Sequence, residues 1–265
     1  MSTPVVAAPG NAGFTVITGA SSGIGAALAR QLASAGHRLA LVGRNAERLD
    51  AVAGACRVLG AECHIGRLDL RDRDSLAAFL ADLEQSGPID LFISNAGILD
   101  GRRNGEAVEG AAAAHRVLDT NLLAAIDAVH MVLPGMRARR RGRLLFIASL
   151  AAFAPLPDAP AYSAAKAGLL SYGLALRDAL RGQGIGVCVA CPGYVSTGMS
   201  DLHLGQRPGE ISADDAAARI LKALGRDRAL SGFPFGLYWV SRLSLLAPAF
   251  VRRLGMRGLR FHVGN

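Results

Sequence analysis

Tyr162 and Lys166 are spaced for proton transfer: four residues apart on a helical pattern, they share one face a single turn apart. A free phenol titrates at about 10, and a nearby ammonium favours the phenolate, so such a tyrosine can exchange a proton closer to neutral pH. Tyr-x-x-x-Lys alone is a common surface pair. Its weight here comes from context, with Ser149 ending the apolar run RLLFIA shortly before it.

A second cluster suits phosphate. Directly after the run FTVIT comes Thr18-Gly19-Ala20-Ser21-Ser22-Gly23-Ile24-Gly25, opening a helical pattern. Gly19 permits the tight turn, Gly23 lets backbone approach a pyrophosphate, Gly25 allows close helix packing, and the helix N-terminus favours negative charge. The next apolar run, RLALVG, ends in Gly43 and is followed by Arg44. An acid at such a strand end would bind the ribose 2′-hydroxyl of NAD, whereas an arginine suits the 2′-phosphate of NADP through bidentate, charge-assisted bonds.

The elements that must position these residues can be read from periodicity. The runs FTVIT, RLALVG, AECHIG, IDLFIS, RLLFIA and IGVCVA alternate with helical patterns, among them stretches from about Asp72 to Gln85, about Glu106 to Met136, and through Tyr162 to Leu180. Six strands separated by helices predict an α/β fold, a doubly wound, Rossmann-like parallel sheet in a single domain with helices on both faces. Ligands of such sheets bind outside the carboxyl ends of the strands, where strand order reverses. The glycine loop, Arg44 and Ser149 all follow strands.

The ordered set TGASSGIG, Asp69-Leu70, SNAG at Ser94 to Gly97, Asn121, Ser149, Tyr162-x-x-x-Lys166 and PGYVST from Pro192 to Thr197 resembles the compact branch of the short-chain dehydrogenase/reductase family. The likeness runs from about Phe14 to Thr197, more loosely beyond, and includes the G-x-x-x-G-x-G spacing. It implies a nicotinamide-dependent oxidoreductase acting on CH–OH groups, interconverting a carbonyl and an alcohol by hydride transfer. By the same resemblance Tyr162 is the proton donor, Ser149 orients the substrate oxygen, Lys166 lowers the pKa of Tyr162 and holds the nicotinamide ribose, and Asn121 holds a water beside the lysine. The cofactor contacts it implies are Gly19, Ser21, Ser22, Gly23, Ile24, Gly25, Arg44, Asp69 on the adenine amine with Leu70 alongside, Asn95, Ala96, Gly97, Tyr162, Lys166, and Val195 and Thr197 at the carboxamide. Ser94 departs from the pattern, since the family more often has a second asparagine there. Gly43 stands where NAD-preferring relatives carry an acid, so NADP is expected. Ser22 lacks the basic charge that some NADP-preferring relatives carry, which leaves use of NAD open. By the same resemblance subunits would associate through the two long helices around Asn121 and Lys166, so a homodimer or homotetramer is expected. Two alternatives remain at this point. A non-catalytic NADP-binding Rossmann protein, serving as sensor or binding subunit, would typically have lost the tyrosine or lysine. An extended-branch epimerase or dehydratase would have a different glycine spacing and a larger carboxyl-terminal domain.

Composition narrows the rest. At 265 residues, 51% hydrophobic and 19% charged, the chain reads as one folded domain over 1–265, with 198–265 as the variable substrate-specificity and carboxyl-terminal segment. The formal charge is +8, yet only Lys166 and Lys222 are lysines. The densest basic run, Arg137, Arg139, Arg140, Arg141 and Arg143, reads as a solvated turn; without interleaved aromatics it predicts no nucleic-acid partner. The partner expected is a small-molecule carbonyl or alcohol. Four cysteines are too few for a disulfide framework, and Cys188-x-x-Cys191 reads as strand packing. Scattered histidines predict no metal. Residues 1–13 lack a signal-peptide pattern, so the cytoplasm is the expected compartment. Specificity is expected from Leu99 to Gly105 and from residues after Thr197. The apolar stretch from Phe233 to Val251 is interrupted by Pro234, Arg242 and Pro248, which argues against a spanning helix, and it lies within a longer segment, Gly232 to Gly255. Three readings compete for it: a final packed helix, an apolar wall for a lipid-like or steroid-like substrate, or a peripheral membrane contact.

Overall fold

The computed structural model describes residues 13–200, 203–244, 246–248 and 262–263. The strands are β1 (Phe14–Thr18), β2 (Arg38–Gly43), β3 (Cys63–Arg67), β4 (Ile89–Ser94), β5 (Gly142–Ile147), β6 (Ile185–Pro192), the two-residue β7 (Val195–Ser196), β8 (His203–Leu204) and β9 (Ile211–Ser212), then β10 (Leu230–Phe233) and β11 (His262–Val263). The helices are α1 (Gly23–Ser34), α2 (Ala46–Val58), α3 (Arg73–Ser86), α4 (Ala111–Leu118), α5 (Ala124–Arg139), α6 (Pro160–Ala179), α7 (Ala213–Gly225) and α8 (Phe235–Ser244). Seven strands pair in parallel in the order β10-β6-β5-β4-β1-β2-β3. This is the expected Rossmann-like sheet with one more strand. β10 was not expected, because its LSGF sequence merges into the apolar, Gly/Pro-broken stretch that follows.

Alternation along the strands builds two cores, one on each face of the sheet. Val16, Val42, Phe92, Phe146 and Val189 face a layer containing Leu76 and Leu80 of α3, Val129 and Met136 of α5, and Leu169 of α6. Ile17, Leu41, Ile93, Leu145 and Ala190 face Leu28 and Leu32 of α1, Leu49 of α2, and Ile220 and Leu224 of α7. The same alternation divides the C-x-x-C pair: Cys191 joins the first core and Cys188 the second, so the sheet separates the two thiols.

Where one helix was expected from about Glu106, the chain stays irregular to Gly110. It then forms α4 and α5 joined by a single π-helical turn, Asp119–Leu123. The run 111–139 is long and apolar enough to cross a membrane by those measures alone. It is a core helix of this sheet, with Val129, Val132 and Met136 buried and Asp127 bonded to Arg73 at 2.5 Å.

The arginine run is a turn, as expected, with Arg140 in the left-handed region at φ 50°. Arg137, Arg139, Arg140 and Arg141 are exposed, as a solvated turn requires, yet each guanidinium of the run also has a partner. Arg137 donates to Gln183 Oε1 (3.0 Å), Arg139 pairs with Glu84, Arg140 donates to the Gly182 carbonyl (2.8 Å), Arg141 pairs with Asp90 (2.6 Å), and Arg143 donates to the Leu224 carbonyl (2.9 Å). Acceptors brought close by β4, α6 and α7 capture the side chains, and no local sequence pattern announces them.

Candidate active site

The strand order reverses between β1 and β4, and the chain is tied together there. Asn95, just after β4, donates its side-chain amide to the Thr18 and Gly19 carbonyls (3.0 and 3.1 Å). Thr18 Oγ1 accepts from the Asn95 and Ala96 amides and donates to the Ile93 carbonyl. Backbone therefore passes backbone closely, and a Cβ on Gly19, which has φ +66°, would sit 2.7 Å from Ala96 Cα. A Cβ on Gly25 would lie 2.3 Å from the Gly19 carbonyl oxygen, so this glycine seats α1 against the loop.

A cavity of about 690 Å³ opens over this crossing. Gly19, Ser21, Ser22, Gly23, Ile24, Arg44, Asp69, Leu70, Asn95, Ala96, Gly97, Ser149, Tyr162, Lys166, Val195 and Thr197 all line it. Gly25 and Asn121 do not. Asn121 is fully buried on the π-helical turn, and its amide is engaged on both sides by Ile98, accepting from the backbone N–H (2.7 Å) and donating to the carbonyl (2.8 Å). It sits behind Gly97, where an added Cβ would meet Asn121 Oδ1 at 3.2 Å and Lys166 Nζ at 3.4 Å.

The shape fits a dinucleotide. Ser22 caps α1 in extended conformation without a side-chain cap bond, and the first turn carries no acid, so no side chain of that turn competes with an anion for the helix N-terminus. At the adenosine end Arg44 is half-exposed and only 3.8 Å from Asp69, whose carboxylate is held more tightly by Arg71 (2.7 Å). Arg71 beside it, with Arg44 further off, keeps the Asp69 carboxyl below its ordinary value. Arg48, from the first turn of α2, lines the same end. The sequence reading did not single it out, since a helical arginine has no distinguishing pattern until α2 is docked.

At the other end lie Ser149, Tyr162 and Lys166. Ser149 Oγ accepts from the Ala151 N–H (3.1 Å), which leaves its own proton to donate. Burial pushes the Tyr162 phenol above its usual value, opposed by a hydrogen bond with Ser149. The sequence expectation was a lowered phenol. Lys166 Nζ instead lies 5.8 Å from the Tyr162 ring centre and donates to the Ile147 carbonyl (2.9 Å). Burial brings Lys166 down to about 8, and pushes the neighbouring Cys191 thiol up to about 12.

The helix carrying Tyr162 has an unusual cap. Ala159 supplies no capping side chain; Glu109 does so from the preceding loop, accepting from the Ala161 N–H at 2.6 Å. Desolvation raises its pKa, and its second oxygen is buried without a partner among the described residues. Arg102 of the same loop pairs with the fully buried Asp158 at 2.5 Å. Sequence reasoning missed Glu109 because its target is distant along the chain. Leu99, Leu150, Ala154, Leu156, Met199 and Leu237 give this end of the cavity an apolar wall, joined by Tyr194 and Ser241. Two of the three readings of the carboxyl-terminal stretch thus coexist, because α8 is a packed helix and part of that wall. Residues 245 and 249–255 of the stretch lie outside the described residues.

Comparison with known proteins agrees with this geometry. Residues 14–206 match the short chain dehydrogenase family. An uncharacterized oxidoreductase of Myxococcus xanthus is 33% identical over 88% of this chain and 92% of its own length. A ketoacyl reductase of Nostoc sp. is 38% identical over 70% of this chain, and the match spans 64% of that protein. A crystal structure of a variant actinorhodin polyketide ketoreductase with NADPH superposes with a TM-score of 0.76 at 27% identity, covering 87% of this chain and 99% of the other. The chain belongs to the short-chain dehydrogenase family and is an NAD(P)-dependent oxidoreductase.

Proposed function

We propose that the chain, acting as one domain, is an NADPH-dependent reductase of an apolar, lipid-like ketone, with Ser149, Tyr162 and Lys166 as its catalytic residues. The observation that carries this is their convergence at the apolar end of a cavity whose far end presents Arg44 and Arg48. Bound nicotinamide supplies the hydride. Ser149 donates its free proton to the carbonyl oxygen and orients it, and Tyr162 transfers the phenolic proton to that oxygen as the alcohol forms. Lys166, charged below about pH 8, lines the cavity where it would hold the sugar hydroxyls of the bound nicotinamide and balance negative charge on the tyrosine. Asn121, its side chain committed to Ile98, positions the wall behind Lys166.

Gly19, Ser21 to Ile24, Leu70, Asn95 to Gly97, Val195 and Thr197 would complete the cofactor cradle, seated on Gly25, and Asp69, its carboxylate shared with Arg71, would meet the adenine. The ketoacyl and polyketide reductases among its relatives support a ketone on an acyl chain as substrate. The test is NADPH consumption over a panel of acyl, steroid, sugar and small ketones, with NADH in parallel. Turnover confined to sugars, or equal affinity for NADH, would refute the substrate class or the cofactor preference respectively. We further propose a cytoplasmic homo-oligomer joined through α5 and α6, which light scattering would show as dimers or tetramers.

A further inference from the structure

We infer that the outer face of α8 is a docking surface for an anionic lipid bilayer. The inner face of this helix is committed: Tyr238 is buried, Leu237 and Ser241 line the cavity, and Ser244 Oγ donates to the Phe153 carbonyl (3.2 Å). The outer face is the reverse. Phe235, Val240, Leu243 and, just past the helix, Leu246 are each more than half exposed, and Trp239 is 43% exposed among them. Arg242 lies between, its guanidinium 5.7 Å from the Trp239 ring centre and bonded to Tyr238 Oη (2.6 Å). Isolated exposed apolar residues are ordinary on a protein surface, but a run of them on one helix marks an interaction site.

Charge identifies the occupant. Helix α8 itself carries Arg242 and no acid, and from Arg228 to Asn265 the sequence holds six arginines and no aspartate or glutamate, of which Arg252, Arg253, Arg257 and Arg260 lie outside the described residues. A symmetric dimer through this face would oppose like patches, setting Arg242 against its copy with no acid on α8 to neutralise either. A bilayer of anionic lipids supplies the missing countercharge and accepts the apolar side chains, with tryptophan at the boundary. A ten-residue helix rises about 15 Å, half of a hydrocarbon core of about 30 Å, so α8 lies on the surface and does not span it. Because its other face lines the cavity, docking would place that wall against the membrane.

Trp239 is the chain's single tryptophan, so its emission reports on this face alone. The experiment titrates the full-length, cofactor-free protein with phosphatidylcholine vesicles with and without phosphatidylglycerol, following emission and co-sedimentation. The expected result is a blue shift and co-sedimentation with the phosphatidylglycerol vesicles, weakened by salt. A Val240→Ser/Leu243→Ser variant should partition about tenfold or more weakly, through lost apolar burial, with an unchanged circular dichroism spectrum and melting temperature. Phe235→Ser provides a second variant should that pair fail to fold. No shift with any vesicle, or equal binding to phosphatidylcholine alone, would overturn the inference. So would a blue shift that follows protein concentration without lipid and coincides with dimers in light scattering, because a second copy would then cover the face.

Discussion

The two ends of the parallel sheet are built on opposite electrostatic plans. At the amino end cations and carboxylates are matched: Arg38 with Glu62, Arg139 with Glu84, Arg141 with the buried Asp90, and nearby Arg177 with Asp227. Over the carboxyl end the cavity wall carries Arg44, Arg48 and Lys166 against a single carboxylate, Asp69, which Arg71 already holds. Matched charges tie elements together and offer little to a ligand. Unmatched ones create a field that a polyanionic dinucleotide can satisfy. The same residue type, arginine, therefore ties elements together at one end and is left with unmatched charge on the cavity wall at the other.

The sharpest test of that division is Tyr162→Phe. It should lower turnover by about 10² to 10⁴, the usual worth of a positioned acid, with cofactor affinity and melting temperature unchanged. Near-normal steady-state rates would remove Tyr162 from the chemistry. Next in size, Gly43→Asp with Arg44→Ala should move the preference from NADPH toward NADH by about 2–3 kcal/mol, read from dissociation constants. Gly43 can accept the side chain, since a Cβ there meets Leu49 and Ser21 at 3.4 and 3.5 Å, ordinary contacts. Arg44→Ala alone should leave part of the preference to Arg48.

At the opposite end, Arg141→Ala should cost about 1–3 kcal/mol of stability in denaturant titration, because Asp90 would stay buried with neither oxygen paired, while kcat is unaffected. A drop in kcat at unchanged stability would erase the contrast between the ends. Titration should separate them as well. Lys166 falls to about 8, so the reductive kcat/KM should decline about tenfold per pH unit above that value as its charge is lost; a profile flat well past it would argue against a charged lysine in the reaction. Glu62, held down to about 2 chiefly by its hydrogen bond from Arg38, favours the fold above its unfolded value of 4.5. That contribution is lost as the pH falls from 4.5 toward 2, and half-exposure limits it to about 1 kcal/mol or less. Glu62→Gln should flatten the acid limb of the stability curve by that amount.

Much of this was legible in the sequence, for identifiable reasons. Strands such as FTVIT, RLALVG and IDLFIS appear with their expected limits because buried parallel strands are short, apolar runs bounded by turn residues. The phosphate loop and Tyr162-x-x-x-Lys166 are local in sequence, so their spacing survives folding. What escaped was set by tertiary contact. β10 is made a strand by pairing with β6, the π-helical turn is an irregularity within one hydrophobic period, and Arg48 and Glu109 acquire meaning only from what lies across from them. The upward shift of the Tyr162 phenol follows from burial, which spacing does not reveal.

The loop from Ile98 to Gly110 is anchored near both its ends, by Arg102 on Asp158 and by Glu109 on the start of α6. Between these anchors, residues 104–108 are exposed. The loop behaves as a suspension span: one pier rests on Asp158 just before the helix that carries Tyr162 and the other on that helix's first turn, while the deck is exposed. Because residues 104–108 are exposed and do not line the cavity, the length and composition of the deck can be exchanged without moving the piers, and the tyrosine keeps its place.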